Sequence, residues 1–328
     1  MKRTFLTLTA LASLGLAMIA PVTAHAQTAS EQQSQQNTIW SGLWQGANLD
    51  LSSLGNTGTA TESAADIAAQ AEPQSGPASK RKIYAALGDS IAAGAGLPGK
   101  ATPRGNDTRC DRSKQAYGFA VAKSAKLPIV HAACSGATAG DLVTKQSVEG
   151  PNIASQLNQA YAAGTPQLIT ISAGANDVKW ADFIQACYYA DNCARDSSSA
   201  AAASLRAILQ GKLEYAINSI YNRSGGSPPT VILTGYYNPF SPACAELQPR
   251  ITATEIAWLT QQTAALNQTI REVADNHSFV KYAPVHFMGH DICSKSPWVQ
   301  GLADPAPFHP TAAGQKAIAR SVNNTLNR

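Results

Sequence analysis

Apolar residues recur along this chain in short runs whose spacing is typical of an α/β protein. From residue 83 onward, five strand-like runs of three to five residues are separated by stretches long enough for helices. The runs lie at residues 83–87, 128–130, 168–171, 230–233 and 279–282. Between and after them, apolar residues near helical spacing predict helices at residues 200–221, 252–276 and 312–327.

Strands that alternate with helices predict right-handed βαβ units and therefore a parallel sheet covered on both faces. In such sheets the ligand site lies beyond the carboxyl ends of the strands. Candidate chemistry is therefore expected just after the apolar runs.

The first 26 residues have the layout of a secretory signal peptide. Lys2 and Arg3 precede an apolar stretch at residues 5–20, and the sequence A-H-A at residues 24–26 offers a cleavage site before Gln27. The alternative is an uncleaved membrane anchor, for which the apolar run is short. We expect cleavage, secretion to the extracellular space, and no later transmembrane segment.

Residues 27–82 are rich in Gln, Ser, Ala and Thr and poor in large apolar residues. Such a composition does not bury enough surface to offset the entropy of ordering. We therefore expect a flexible linker or pro-segment there, followed by one catalytic domain at residues 83–328.

Six cysteines, all within residues 83–328, favour three disulfides in an exported chain. Spacing alone favours only the short loop between Cys187 and Cys193. Zinc is the rival interpretation, but the chain has no C-x-x-C pair and no H-E-x-x-H sequence, and we expect no metal or other cofactor. The formal charge of +4 comes from scattered residues, which gives no support to nucleic-acid binding.

Three polar clusters follow the first three strand-like runs. Ser90 follows a G-D sequence after the first run, where a serine at the start of a helix has an exposed hydroxyl and a free N–H. Gly136 lies in a turn after the second run, and Asn176 in a turn after the third. Taken singly, these are an N-cap serine and two ordinary turns.

A nucleophilic serine needs a base, and His309 is the best-placed histidine. It follows a loop and precedes the last predicted helix, and Pro310 suits the first positions of that helix. His131 and His277 lie in or beside predicted elements and are expected to be structural.

Taken in order, these clusters resemble the sequence blocks of the SGNH (GDSL-like) hydrolases. More narrowly, the chain resembles the secreted actinomycete GDSL lipases and esterases. The resemblance covers about residue 83 to the C-terminus, and it rests on G-D-S at 88–90, R-C-D-R at 109–112, A-C-S-G-A at 133–137, G-x-N-D at 174–177, F-M-G-H at 287–290 and H-P at 309–310.

The resemblance implies a flavodoxin-like three-layer α/β/α fold with a five-stranded parallel sheet. It also implies that Ser90 is the nucleophile and His309 its base. The Ser90 N–H, the Gly136 N–H and the Asn176 side chain would then form the oxyanion hole. It implies the disulfides Cys110–Cys134, Cys187–Cys193 and Cys244–Cys293.

One position departs from the pattern of the superfamily. Many members have an aspartate three residues before the histidine, where this chain has Ala306. The base needs an acceptor that holds its Nδ1–H. We favour a Ser90–His309 dyad oriented by a main-chain carbonyl near Ala306; the alternative acceptor is the carboxylate of Asp304.

The predicted activity is hydrolysis of lipid or short-chain acyl esters by a monomer, through an acyl-enzyme on Ser90. A polysaccharide deacetylase related to acetylxylan esterases is the enzymatic alternative, since fold alone does not decide between substrates. A catalytically silent binding module on the cell surface is the non-enzymatic one. An α/β-hydrolase is disfavoured because the chain lacks a G-x-S-x-G sequence.

Overall fold

The computed structural model describes residues 63–101, 108–189, 193–241, 244 and 250–328. The predicted signal peptide and the first part of the predicted linker, residues 27–62, lie outside the described residues. None of the described helices is both long and apolar enough to cross a lipid bilayer.

A five-stranded, fully parallel sheet forms the centre of the domain, in the strand order β2-β1-β3-β4-β5. This confirms the predicted sheet and its three-layer class. The strands are β1 (Lys82–Gly88), β2 (Ile129–His131), β3 (Thr165–Ser172), β4 (Thr230–Thr234) and β5 (Val280–Ala283).

Eight α-helices are present in the described part of the chain. They are α1 (Ala64–Gln70), α2 (Ser90–Ala93), α3 (Tyr117–Ala125), α4 (Gln156–Ala163), α5 (Trp180–Tyr189), α6 (Asp196–Arg223), α7 (Ala253–Asp275) and α8 (Ala312–Leu326). Helices α3 and α8 pack against each other, α6 packs against α7, and α4 contacts the first three strands. Right-handed crossovers place α3 and α8 on one face of the sheet and α4, α6 and α7 on the other.

Local sequence explains where the two predicted C-terminal helices begin. Thr252 caps α7: its hydroxyl accepts from the Glu255 N–H, and the Glu255 carboxylate accepts from the Thr252 N–H. Thr311 caps α8 by accepting from the Gly314 N–H. Such side chains satisfy N–H groups that have no partner within the helix.

The segment of residues 63–81, here called the N-terminal strap, is packed against the domain. Helix α1 begins in a capping box between Ser63 and Asp66, and it buries Ile67 completely as it packs on α6. Farther along, the Glu72 carboxylate accepts from the Ser155 N–H (2.7 Å) at the start of α4. The Arg81 carbonyl accepts from the Thr165 N–H (2.8 Å) where β3 begins.

Residues 63–81, which the sequence analysis assigned to a flexible linker or pro-segment, are therefore packed on the domain and not a flexible linker; their removal as a pro-segment stays a prediction. Their composition resembles a linker because the strap buries only one large apolar side chain in its helix. The signal that could have located it is the S-x-x-D sequence at residues 63–66, which is a capping box with aspartate as the acid.

All six cysteines are in disulfides, with the pairings that the family resemblance implies: Cys110–Cys134, Cys187–Cys193 and Cys244–Cys293. The first of these joins the segment before α3 to the turn after β2. Because their sulfurs are paired, these cysteines are not thiolate ligands, and the zinc interpretation of the cysteines is wrong.

Candidate active site

The turns that follow β1, β2 and β3 meet at one edge of the sheet. The strand order places β1 between β2 and β3, so the turn carrying Ser90 is flanked by the turns carrying Gly136 and Asn176. The three polar clusters singled out in the sequence are thus neighbours at the carboxyl ends of adjacent strands. The structure brings a fourth segment to the same place, the loop before α8 that carries His309.

Gly88 allows the turn after β1 to approach β3 closely. Its φ is +127°, and a Cβ at this position would lie 2.0 Å from the Ser172 carbonyl oxygen. The Gln156 side chain holds Gly88 from both sides, by accepting from its N–H (2.7 Å) and donating to its carbonyl (2.9 Å). Only glycine fits such a position without displacing β3.

Ser90 is the first residue of α2, and its side chain is hydrogen-bonded to His309. The distance between Ser90 Oγ and His309 Nε2 is 2.7 Å. On the other side of the ring, His309 Nδ1 lies 3.0 Å from the Pro307 carbonyl oxygen. A carbonyl only accepts, so Nδ1 carries the proton and Nε2 is left as the acceptor for the serine hydroxyl.

The hydrogen bond of His309 Nδ1 goes to the Pro307 carbonyl, one residue after the Ala306 carbonyl that the sequence analysis named. The Ala306 carbonyl accepts from the His309 main-chain N–H (3.1 Å), and it also opposes the lowering of the His309 pKa. This bond closes a tight turn in which Pro307 is the second residue and Phe308, with φ of +65°, is the third. A positive φ at the third position is the mark of a type II turn, whose central peptide is rotated relative to a type I turn.

Asp304 is not bonded to the histidine either. Its carboxylate accepts from the Gly301 N–H (2.7 Å) in an exposed turn. Asp304 and Ala306, the two candidates from the sequence, therefore make hydrogen bonds that shape the loop before His309.

Burial lowers the pKa of His309, and the nearby Pro307 carbonyl opposes that shift. A lowered pKa keeps the imidazole neutral, and hence able to accept a proton, to a more acidic pH than usual. No carboxylate is needed for this state.

The three groups that the family resemblance assigns to an oxyanion hole lie in the turns after β1, β2 and β3. The Ser90 N–H lies at the start of a helix and has no partner within it. Gly136 adopts a φ of +76° in its turn, and a Cβ there would meet only open space and the end of Gln146 at 3.9 Å. Asn176 donates one amide hydrogen to the Ala137 carbonyl (2.8 Å), which fixes its plane and leaves a second hydrogen for a ligand.

Buried charged groups connect the turn after β3 to the turn after β2. Asp177, next to Asn176, lies 3.3 Å from the Lys212 ammonium group, and both side chains are almost fully buried. The same carboxylate accepts from the Ala139 N–H (2.8 Å), so it joins the turn after β3 to the turn after β2. Sequence reasoning missed Lys212, because a lysine in a helix ordinarily indicates a solvated face.

Asp89, the residue before Ser90, is 1% exposed, and burial raises its pKa to about 7. Its Oδ1 accepts from the Ile91 N–H (2.9 Å), which makes it the N-cap of α2. Its Oδ2 accepts from the Tyr236 hydroxyl (2.6 Å). The N-cap role that the sequence offered for Ser90 is thus filled by its neighbour.

The other described histidines lie outside the candidate site. His131 Nε2 bonds to the Ala92 carbonyl (2.8 Å), and burial lowers its pKa to about 4. His277 pairs with Glu214 (2.5 Å), and His290 stacks on Trp298. His286 is exposed.

Comparison with known proteins agrees with this arrangement. The GDSL-like Lipase/Acylhydrolase family matches residues 86–317, which include Ser90 and His309. The chain belongs to this family.

Individual relatives are similar over most of their length. The chain is 29% identical over 239 residues to Lipase 1 of Streptomyces coelicolor, covering 71% of this chain and 82% of that protein. It is 28% identical over 251 residues to a lipase of Streptomyces rimosus, covering 74% and 85%. The crystal structure of the extracellular lipase from Streptomyces rimosus superposes with a TM-score of 0.59 at 27% identity, covering 75% of this chain and 99% of that one. This GDSL-family chain is accordingly a carboxylic ester hydrolase.

Proposed function

We propose that this hydrolase cleaves lipid or short-chain acyl esters through a covalent acyl-enzyme on Ser90. The observation that carries the proposal is the hydrogen bond of 2.7 Å between Ser90 Oγ and His309 Nε2, with Nδ1 turned to the Pro307 carbonyl. This is the geometry of a nucleophile and an oriented general base.

The chemistry follows from these positions. His309 Nε2 takes the Ser90 proton as Oγ forms a bond to the ester carbonyl carbon. The carbonyl oxygen becomes an oxyanion beside the Ser90 N–H, the Gly136 N–H and the Asn176 amide, and each such donor is worth on the order of 10²–10³ in rate. The protonated histidine then gives its proton to the leaving alkoxide, so that an alcohol departs and the acyl group stays on Ser90. Water then attacks the acyl carbon while His309 Nε2 takes its proton. The bond to Ser90 Oγ breaks, the proton returns to that oxygen, and the carboxylic acid is released.

An aromatic border beside the site supports an acyl ester as the substrate. The ring of Trp180, four residues after Asn176, lies 6.0 Å from that of Phe240, and Phe240 lies 5.6 Å from Phe308, which precedes His309. The border therefore runs from the oxyanion turn to the histidine turn. These rings add apolar surface beside the catalytic turns, and such surface suits the hydrocarbon part of an acyl ester. The lipase relatives support the same substrate class.

The test compares Ser90→Ala and His309→Ala with the unchanged protein on p-nitrophenyl esters of graded chain length. We expect turnover to fall by 10³-fold or more in both variants, because removal of either group disables the same step. Ser204→Ala, which changes an exposed serine of α6, is the matched control and should keep full activity. Full activity in Ser90→Ala would refute the proposal.

Two further measurements separate the alternatives. Faster hydrolysis of acetylated xylan than of any p-nitrophenyl or phospholipid ester would assign the protein to polysaccharide deacetylation instead. A fluorophosphonate that fails to label Ser90 in the folded protein would favour a silent binding module.

Secretion is part of the same proposal. Three disulfides within one domain are typical of an oxidising compartment. The relative of known structure from Streptomyces rimosus is described as extracellular, and the N-terminal sequence has the layout of a signal peptide.

A further inference from the structure

Two consecutive tyrosines at the carboxyl end of β4 contact the catalytic turns, although neither belongs to the sequence blocks described above. Tyr236 and Tyr237 are both about 5% exposed. Asn267 of α7 fixes the Tyr236 backbone by accepting from its N–H (2.7 Å) and donating to its carbonyl (2.7 Å). Gly235 makes room for this clamp, since a Cβ there would lie 3.0 Å from the Asn267 side-chain oxygen and 2.3 Å from the Tyr282 hydroxyl.

The Tyr236 hydroxyl joins the nucleophile turn to the oxyanion turn. It donates to Asp89 Oδ2 (2.6 Å) and accepts from the Ala175 N–H (3.2 Å). Asp89 precedes Ser90 and also caps the helix that Ser90 begins, while Ala175 precedes Asn176. One oxygen atom therefore sets the separation between the attacking serine and the amide that receives the oxyanion.

The Tyr237 hydroxyl holds the histidine turn. It donates to the Phe308 carbonyl (2.6 Å), and its ring stacks on Phe287 with 4.1 Å between centroids. Phe308 has a φ of +65°, a left-handed conformation that is unfavourable for a bulky residue and persists only where the surroundings enforce it. The Pro307 carbonyl and the His309 ring both project from this turn.

We propose that Tyr236 and Tyr237 are positioning residues that hold the two halves of the catalytic site in register: Tyr236 sets Ser90 against Asn176, and Tyr237 sets His309 against Ser90. The inference rests on the proposed function, since it assigns these roles for the acyl-transfer step. Both phenols are suited to the task, because burial raises their pKa well above 10 and they remain donors over the working range of pH.

The test uses Tyr236→Phe and Tyr237→Phe, which remove one oxygen atom and keep the ring. We expect kcat to fall at least tenfold in each variant with KM unchanged within twofold, because misplacement of reacting groups impairs the transition state more than binding. The matched control is Tyr161→Phe, which loses a buried bond of the same kind, from a phenol of α4 to the Ile220 carbonyl of α6 (3.3 Å), and contacts none of the catalytic turns in the bonds given above. It should keep its kcat.

A spectroscopic readout separates positioning from general loosening. In the free enzyme, the proton on His309 Nδ1 should give a downfield NMR resonance through its bond to Pro307. Tyr237→Phe should shift or broaden that resonance, whereas Tyr236→Phe and Tyr161→Phe should not. Active sites are counted by fluorophosphonate titration, so that kcat refers to folded enzyme. If a phenylalanine variant does not fold, Asn267→Ala, which frees the Tyr236 backbone but keeps both hydroxyls, should lower kcat at unchanged KM.

Values of kcat within twofold of the unchanged enzyme in both phenylalanine variants would overturn the inference. So would losses no greater than that of Tyr161→Phe. Failure of the proposed function is a different result, in which Ser90→Ala stays active; the NMR comparison then still reports whether Tyr237 orders the histidine turn.

Discussion

At the scale of single residues, the Pro307 carbonyl takes the place of the aspartate of a Ser-His-Asp triad as the acceptor for the Nδ1–H of the proposed base. The acceptor for Nδ1–H fixes the tautomer of the base and the direction of its ring, and a main-chain carbonyl satisfies both needs. It adds no full charge, so the histidine gains less stabilisation of its protonated form. The lowered pKa of His309 is consistent with this, since burial outweighs the effect of the carbonyl.

Asp304→Asn should therefore leave catalysis nearly unchanged. The Asp304 carboxylate accepts from the Gly301 N–H, and an asparagine oxygen can still accept this bond, although more weakly because it carries no charge. We expect kcat within about twofold of the unchanged enzyme, measured with a p-nitrophenyl ester at saturating concentration. A loss approaching 10⁴-fold, the effect of removing a triad aspartate, would show that Asp304 orients the base during turnover.

Some of the site residues could be predicted from the sequence, and others could not. Ser90, Gly136, Asn176 and His309 follow apolar runs or precede a helix, so local pattern located them. Pro307 could not be chosen over Ala306, because the direction of a carbonyl depends on the φ of Phe308. Tyr236 could not be found either, since its bond to Asp89 joins residues 147 positions apart.

At the scale of elements, the sheet was predictable because its three central strands, β1, β3 and β4, are mostly buried and read as continuous apolar runs. Strand β1 is buried at every position after its first residue. The strap was not predictable in the same way. Its order depends on contacts with α4 and α6, whereas its own composition carries one buried isoleucine among small and polar residues.

Ile67→Ala should destabilise the domain without altering the active site. Ile67 is completely buried beneath α1, and truncation of a buried isoleucine costs roughly 2–5 kcal/mol. We expect a lower free energy of unfolding in urea and an unchanged kcat below the transition. Ala69→Ser, at an exposed position of the same helix, is the control and should stay within about 0.5 kcal/mol. Unchanged stability in Ile67→Ala would mean that the strap contributes nothing to the fold.

At the scale of the whole molecule, the disulfides secure segments that the sheet does not reach. Cys244–Cys293 closes a separation of 49 residues and Cys187–Cys193 one of only 6. A cross-link that closes a longer loop removes more entropy from the unfolded chain. The stabilisation of the folded state expected from this effect is about 4 kcal/mol for the first disulfide and about 2 kcal/mol for the second. Such bonds persist only in an oxidising compartment.

Export can be checked on the whole protein. Cells that express the full chain should release it into the medium with Gln27 as the first residue, since the signal peptide is expected to be cut after Ala26. N-terminal sequencing of the released protein gives the answer, and thiol titration under denaturing conditions should find no free cysteine. A chain that remains in the cell membrane with Met1 intact would contradict the proposal.

The N-terminal strap also sets a limit for engineering. A protein shortened to begin at residue 83, where the first apolar run starts, would lose the acceptor that Glu72 provides to the start of α4. It would also expose the surface of α6 that Ile67 covers. A protein shortened to begin at Ser63 would retain the capping box and every contact of the strap described above. Affinity tags and fusion partners are therefore best joined ahead of Ser63.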